Sequence, residues 1–115
     1  MAQQLDAVRV AATGDVKEGH PFCVTANGKA LALFRVGNEF FALDNTCPHA
    51  GGPLCEGTLK DGLVACPWHG SKFKIETGEV VQGPSKTGVA SYPVEVRGND
   101  VFITFGRAAG SAKTG

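Results

Sequence analysis

Phe22-Cys23-Val24-Thr25-Ala26-Asn27-Gly28-Lys29-Ala30-Leu31-Ala32-Leu33-Phe34-Arg35-Val36 reads as two β-forming runs joined by an Asn-Gly pair. That pair is favoured in two-residue hairpin turns because both positions tolerate positive φ. Gly37-Asn38 then turns the chain into a third run, Glu39 to Leu43. Working outward, Val8 to Ala11 reads as a first strand. Tyr92 to Val96 and Val101 to Phe105 alternate apolar and polar residues around Arg97-Gly98-Asn99-Asp100. Helical periodicity is hard to find anywhere. The expected fold class is all-β, an antiparallel sandwich or barrel with one buried face per strand.

At 115 residues the chain fits one domain. Residues 1–105 are expected to form it, and Gly106 to Gly115, without an apolar pattern, to be a flexible tail. Hydrophobic residues make up 43 % and charged residues 19 %, a globular balance and not a disordered one. Eleven basic residues offset eleven acidic ones, so nothing points to nucleic acid or an anionic membrane as partner. The first six residues lack the basic start and apolar run of a secretory signal. No window approaches the roughly 18 apolar residues of a membrane span. A cytoplasmic location is the default, and there four cysteines are read as ligands or free thiols before disulfides.

Between the outer strands, residues 44–85 differ in character, being rich in Cys, His, Gly and Pro. Two hairpin-like stretches lie here: Leu59 to Ala65, turning at Lys60-Asp61-Gly62, and Phe73 to Val81, turning near Thr77-Gly78. The chemistry is concentrated in Cys47-Pro48-His49-Ala50-Gly51-Gly52 and Cys66-Pro67-Trp68-His69-Gly70-Ser71. The intervening residues 50–65 can form a hairpin that sets the two loops side by side. Two thiolates and two imidazoles suit zinc or an iron–sulfur cluster. Mixed zinc fingers usually pair their cysteines as C-x(2–4)-C and their histidines as H-x(3–5)-H. Here each loop mixes one Cys with one His, which a two-iron cluster accommodates. Gly51, Gly52 and Gly70 allow close backbone approach, Pro48 and Pro67 restrict the loops, and Gly83-Pro84-Ser85 is placed to cover a further side.

This C-x-H then C-x-x-H pattern resembles the Rieske family over about the central third, Asn45 to Ser85. Within the family it looks most like the ferredoxin components of bacterial aromatic-ring dioxygenase systems. The resemblance implies a Rieske-like β-sandwich or barrel with a small inserted cluster-binding subdomain at about 44–85. It also implies one [2Fe–2S] cluster, with Cys47 and Cys66 on the inner iron and His49 and His69 on the outer. The chain would be an electron carrier and not an enzyme, docking transiently with a ferredoxin reductase and a terminal oxygenase. The alternative within the resemblance is a small Rieske subunit of a larger oxidoreductase such as a nitrite reductase.

Relatives in respiratory cytochrome complexes carry two further cysteines, forming a disulfide between the ligand loops. The matching positions here hold Gly52 and Trp68. Those relatives also place a serine and a tyrosine after the second loop. Ser71 keeps the first and Phe73 replaces the second. Hydrogen bonds to cluster sulfur raise the potential, so a value toward the low end of the roughly −150 to +300 mV Rieske range is expected.

Of the remaining candidates, Cys23 and Cys55 are read as two small buried or half-buried thiols, with a disulfide or further metal site as the alternatives. His20, before Pro21, is read as an exposed loop residue. Trp68 is read as a shield and docking residue in preference to an electron conduit. Phe73 and Ile75 are expected to face the core from a strand. No Ser-His-Asp set, phosphate-cradling loop or paired acid–base carboxylates can be picked out.

Overall fold

The computed structural model describes residues 7–47, 51–68, 70–83 and 85–105. Within these residues the strands are β1 (Ala7–Ala12), β2 (Phe22–Ala26), β3 (Lys29–Val36), β4 (Glu39–Asp44), β5 (Thr58–Lys60), β6 (Leu63–Ala65), β7 (Lys72–Lys74), β8 (Val80–Gln82), β9 (Ser91–Tyr92), β10 (Val94–Arg97) and β11 (Asp100–Thr104). They form three antiparallel sheets ordered β1-β11-β10, β2-β3-β4-β9 and β5-β6-β7-β8. The helical segments among the described residues are two short 3-10 turns, Thr13–Asp15 and Leu54–Glu56. None is long and apolar enough to cross a membrane.

The turn chemistry that the sequence announces is present. Asn27 and Gly28 take φ of 52° and 74°, which pairs Ala26 with Lys29 and fixes the β2–β3 register. The two hairpins of the central region are joined into one meander, because β6 also pairs with β7. Their outer strands belong to that single sheet and not to separate ribbons.

One expectation needs correction: β3 has two buried faces, not one. Leu31, Ala32, Leu33 and Phe34 are all fully buried. Leu31 and Leu33 pack with Val16, Ala42, Val101 and Ile103 toward the first sheet. Ala32 and Phe34 pack with Leu43, Leu54, Val64 and Phe73 toward the third. An unbroken apolar run is what a strand buried on both sides requires. The middle sheet is therefore a shared wall, with a scaffold core on one side and the core beneath the Cys/His loops on the other.

A second correction concerns Tyr92 to Val96, which is not one strand. It breaks at Pro93 into β9, paired with β4, and β10, paired with β11. Proline has no N–H to give to a ladder, whereas its carbonyl still accepts from Thr104 N–H at 3.0 Å. Phe73 and Ile75 are both buried as expected, although Ile75 lies in the turn after β7 and not within the strand. His20 is exposed, in a turn closed by its own N–H on Lys17 O. The expected tail, residues 106–115, lies outside the described residues.

Tyr92 joins the sheets at the point where β4 leaves for the central region. Its ring packs in the scaffold core, and its hydroxyl donates to Asp44 Oδ1 at 2.7 Å. Burial, then the hydrogen bond and the Asp44 charge, raise its pKa well above the ordinary tyrosine value of 10.0. The folded state thus favours the neutral phenol. Its contribution is fully present below pH 10 and is lost as pH rises beyond that. Tyr92 is the only tyrosine, so phenolate absorbance reads it alone. Native protein should ionise at higher pH than urea-unfolded protein. Tyr92→Phe should cost roughly 1–2 kcal/mol in urea denaturation below pH 9, as expected for loss of one charge-assisted bond.

Candidate metal centre

The two Cys/His loops are built alike. Each is six residues long, and each is flanked by an antiparallel residue pair: Thr46 opposite Pro53, and Ala65 opposite Lys72. Inside the first, Cys47 N–H donates to Gly52 O at 2.9 Å and Gly51 N–H to Cys47 O at 2.7 Å. Inside the second, Cys66 N–H donates to Ser71 O at 2.8 Å and Gly70 N–H to Cys66 O at 3.0 Å. Gly51 and Gly70 take φ of 78° and 80°, a conformation that glycine reaches without a Cβ penalty. Matching glycines at the fifth place thus let both loops curl back on their own cysteine.

The loops meet. A Cβ added to Gly52 would lie 2.7 Å from Cys66 Sγ and 3.0 Å from Trp68 Cγ, so the end of the first loop lies against the second. Gly52 and Trp68 are the positions where a cross-loop disulfide is absent by sequence, and here an indole lies against bare backbone instead. Trp68 remains 57 % exposed.

Cys47 and Cys66 are both buried, both free of disulfide, and both part of the apolar cluster that holds Leu54, Val64 and Phe73. His49 and His69, together with Pro48 and Pro84, lie outside the described residues. Among the described residues no group of three or more His, Cys, Asp or Glu gathers as a metal site. What is described fits a thiolate-held cluster. Two uncrosslinked thiols come from two contacting loops, and the Gly52 backbone lies where a side chain would strike sulfur. Ser71 is fully buried, and its Oγ accepts Ser85 N–H at 2.8 Å, leaving the hydroxyl proton to donate. That bond also ties Ser85 to the second loop.

Two features were not singled out in the sequence. Asn45 precedes the first loop and anchors it: its carbonyl accepts Leu54 N–H at 2.7 Å, and its Oδ1 accepts Cys55 N–H at 2.7 Å. The available signal was an asparagine at a strand end, a residue that often bonds nearby backbone. The other is a correction: Cys23 and Cys55 are a disulfide, not two thiols, and Cys23 is exposed where burial or half-burial was expected. They are 32 positions apart, and only the β2–β3–β4 topology brings them together.

Gly52→Ala is expected to push the loops apart, with an overpacking cost of roughly 1–3 kcal/mol. Iron and inorganic sulfide per chain should fall. Gly14→Ala, where an added Cβ meets nothing within 4 Å, should leave both unchanged.

The description "Rieske [2Fe-2S] domain" matches residues 6–93. The ferredoxin component of the p-cumate 2,3-dioxygenase system of Pseudomonas putida is 40 % identical over 103 residues, covering 88 % of this chain and 87 % of that protein. Among solved structures, the ferredoxin of carbazole 1,9a-dioxygenase from Nocardioides aromaticivorans IC177 superposes with a TM-score of 0.82 at 29 % identity. It covers 84 % of this chain and 95 % of its own. A ferredoxin in complex with the oxygenase of carbazole 1,9a-dioxygenase gives 0.80 at 33 % identity, covering 85 % and 92 %. With paired loops, buried thiols and a family match across most of its length, this chain belongs to the Rieske [2Fe–2S] family.

Proposed function

We propose that this chain is the one-electron carrier of an aromatic-ring dioxygenase system, taking electrons from a reductase and delivering them to a terminal oxygenase. The observation that carries this reading is the contact between two like-built loops, each presenting a buried free cysteine. Ferredoxin components of comparable length are 29–40 % identical and one is solved with an oxygenase, whereas a nitrite reductase small subunit of comparable length is 19 % identical; this favours a carrier. The cytoplasmic location and the single domain over 1–105, with its cluster-binding part at about 44–85, belong to the same proposal.

Cys47 and Cys66 are assigned to one iron, His49 and His69 to the other. When bound, the cluster supplies reversible one-electron exchange. The protein's part is to hold the cysteines in apolar surroundings, to turn backbone toward the sulfurs at glycines, and to leave a rim for docking. The docking surface is assigned to His49, His69, Pro48 and Trp68, and a small interface suits a brief encounter between redox partners. No acid–base or nucleophilic machinery is needed.

The ligand assignment is tested by His49→Ala and His69→Ala. Each should abolish the reduced-state EPR signal and the visible absorption while leaving the β-sheet circular dichroism in place. Retention of a normal cluster in either variant would overturn the assignment. Phe73 is fully buried in the apolar cluster with both cysteines and carries no hydroxyl, so of this pair of positions Ser71 alone offers one. Redox titration should therefore give a midpoint in the lower half of the roughly −150 to +300 mV range. A value above about +200 mV on that scale would reject the subtype.

A further inference from the structure

We propose that Cys23 and Cys55 form a thiol–disulfide redox site that latches the base of the first cluster loop to the β-scaffold and is opened by an external dithiol. Its effect on cluster retention rests on the reading above; the crosslink itself does not.

Cys23 lies on β2, opposite Ala32 of β3. Cys55 lies in the 3-10 turn Leu54–Glu56, immediately after the first loop. Their Cα atoms are 5.0 Å apart, within the range a disulfide spans, and the two sulfurs are bonded. The other two cysteines take no part. The turn that carries Cys55 is tied to the loop base at every step. Leu54 and Cys55 N–H both bond to Asn45, Pro53 pairs with Thr46, and Thr46 precedes Cys47. Cys55 also shares an apolar cluster with Cys47 and Cys66. A covalent bond at Cys55 therefore restrains the segment from which the first loop springs.

The two ends of the bond differ in access. Cys23 is exposed, whereas Cys55 is 7 % exposed. An incoming thiolate reaches the Cys23 sulfur. The S–S bond breaks, and its electron pair goes to Cys55, which takes up a proton because a buried thiolate is poorly solvated. The second thiol of the dithiol, as thiolate, attacks the mixed disulfide and releases Cys23. The dithiol is oxidised by two electrons to its own disulfide, and the protein ends with two thiols. A crosslink buried at both ends would not offer this entry. In reducing compartments, disulfides are mostly transient and redox-sensing, the behaviour an accessible sulfur permits.

The test uses the full-length holoprotein in buffers of graded reduced to oxidised dithiothreitol. Acid quench, alkylation and non-reducing peptide mapping report the Cys23–Cys55 peptide. Chelator-driven bleaching of visible absorbance and the thermal midpoint are read in parallel. The crosslink should form under oxidising ratios and open under reducing ones. Opening should speed bleaching on the order of tenfold and lower the midpoint by about 10 °C, since removal of a disulfide from a small domain is strongly destabilising. Cys23→Ser should bleach fast at every ratio, which also separates opening of the latch from any direct action of dithiothreitol on the cluster. Free Cys23 and Cys55 under oxidising conditions would overturn the proposal. So would wild-type bleaching and melting that ignore the buffer ratio. If the protein carries no iron at all, the cluster reading fails alone, because mapping and melting still read the crosslink.

Discussion

The bond from each loop's cysteine N–H to the carbonyl five residues on is the constraint from which the site follows. It holds Cys47 and Cys66 at the inner end of a tight curl, where Gly51 and Gly70 supply the reversal of backbone direction. A ligand loop that floated free would lose conformational entropy on taking up metal. A loop already closed on its own backbone has lost much of it during folding. The contact of Gly52 with Cys66 and Trp68 then fixes one curl relative to the other, as the proposed shared centre requires.

Those curls stand on a wall buried from both sides. Leu31 and Leu33 face one core while Ala32 and Phe34 face the other, and Ala42 and Leu43 repeat the division on β4. Any change at these positions is felt in the scaffold or beneath the cluster loops according to its parity along the strand. Asn45 extends the wall into the first loop with two hydrogen bonds from one residue, and Tyr92 braces the preceding Asp44. The apolar floor of the centre is thus continuous with the middle sheet.

Much of this was legible in the sequence because the signals were local. Asn27-Gly28 announced its turn and register, and the two Cys/His runs carried glycines in the places the curls require. What was not legible depended on partners distant in sequence. The two-sided burial of β3 was hidden behind a run that also suits a one-sided strand with small alternate residues. Pro93 split a plausible strand because its neighbours pair in different sheets. Cys23 and Cys55 lie 32 positions apart, and a preference for reduced thiols argued against the bond that the topology makes possible. Asn45 looked like any asparagine at the end of a strand.

The placement of Trp68 has an optical consequence. The chain has a single tryptophan, and it sits at the rim of the centre, touching the Gly52 backbone with much of its surface in solvent. All indole emission therefore originates where the loops meet. Intrinsic fluorescence is thus a label-free gauge of that place: iron held between the loops would quench it, and a partner seated there would shift it by excluding water.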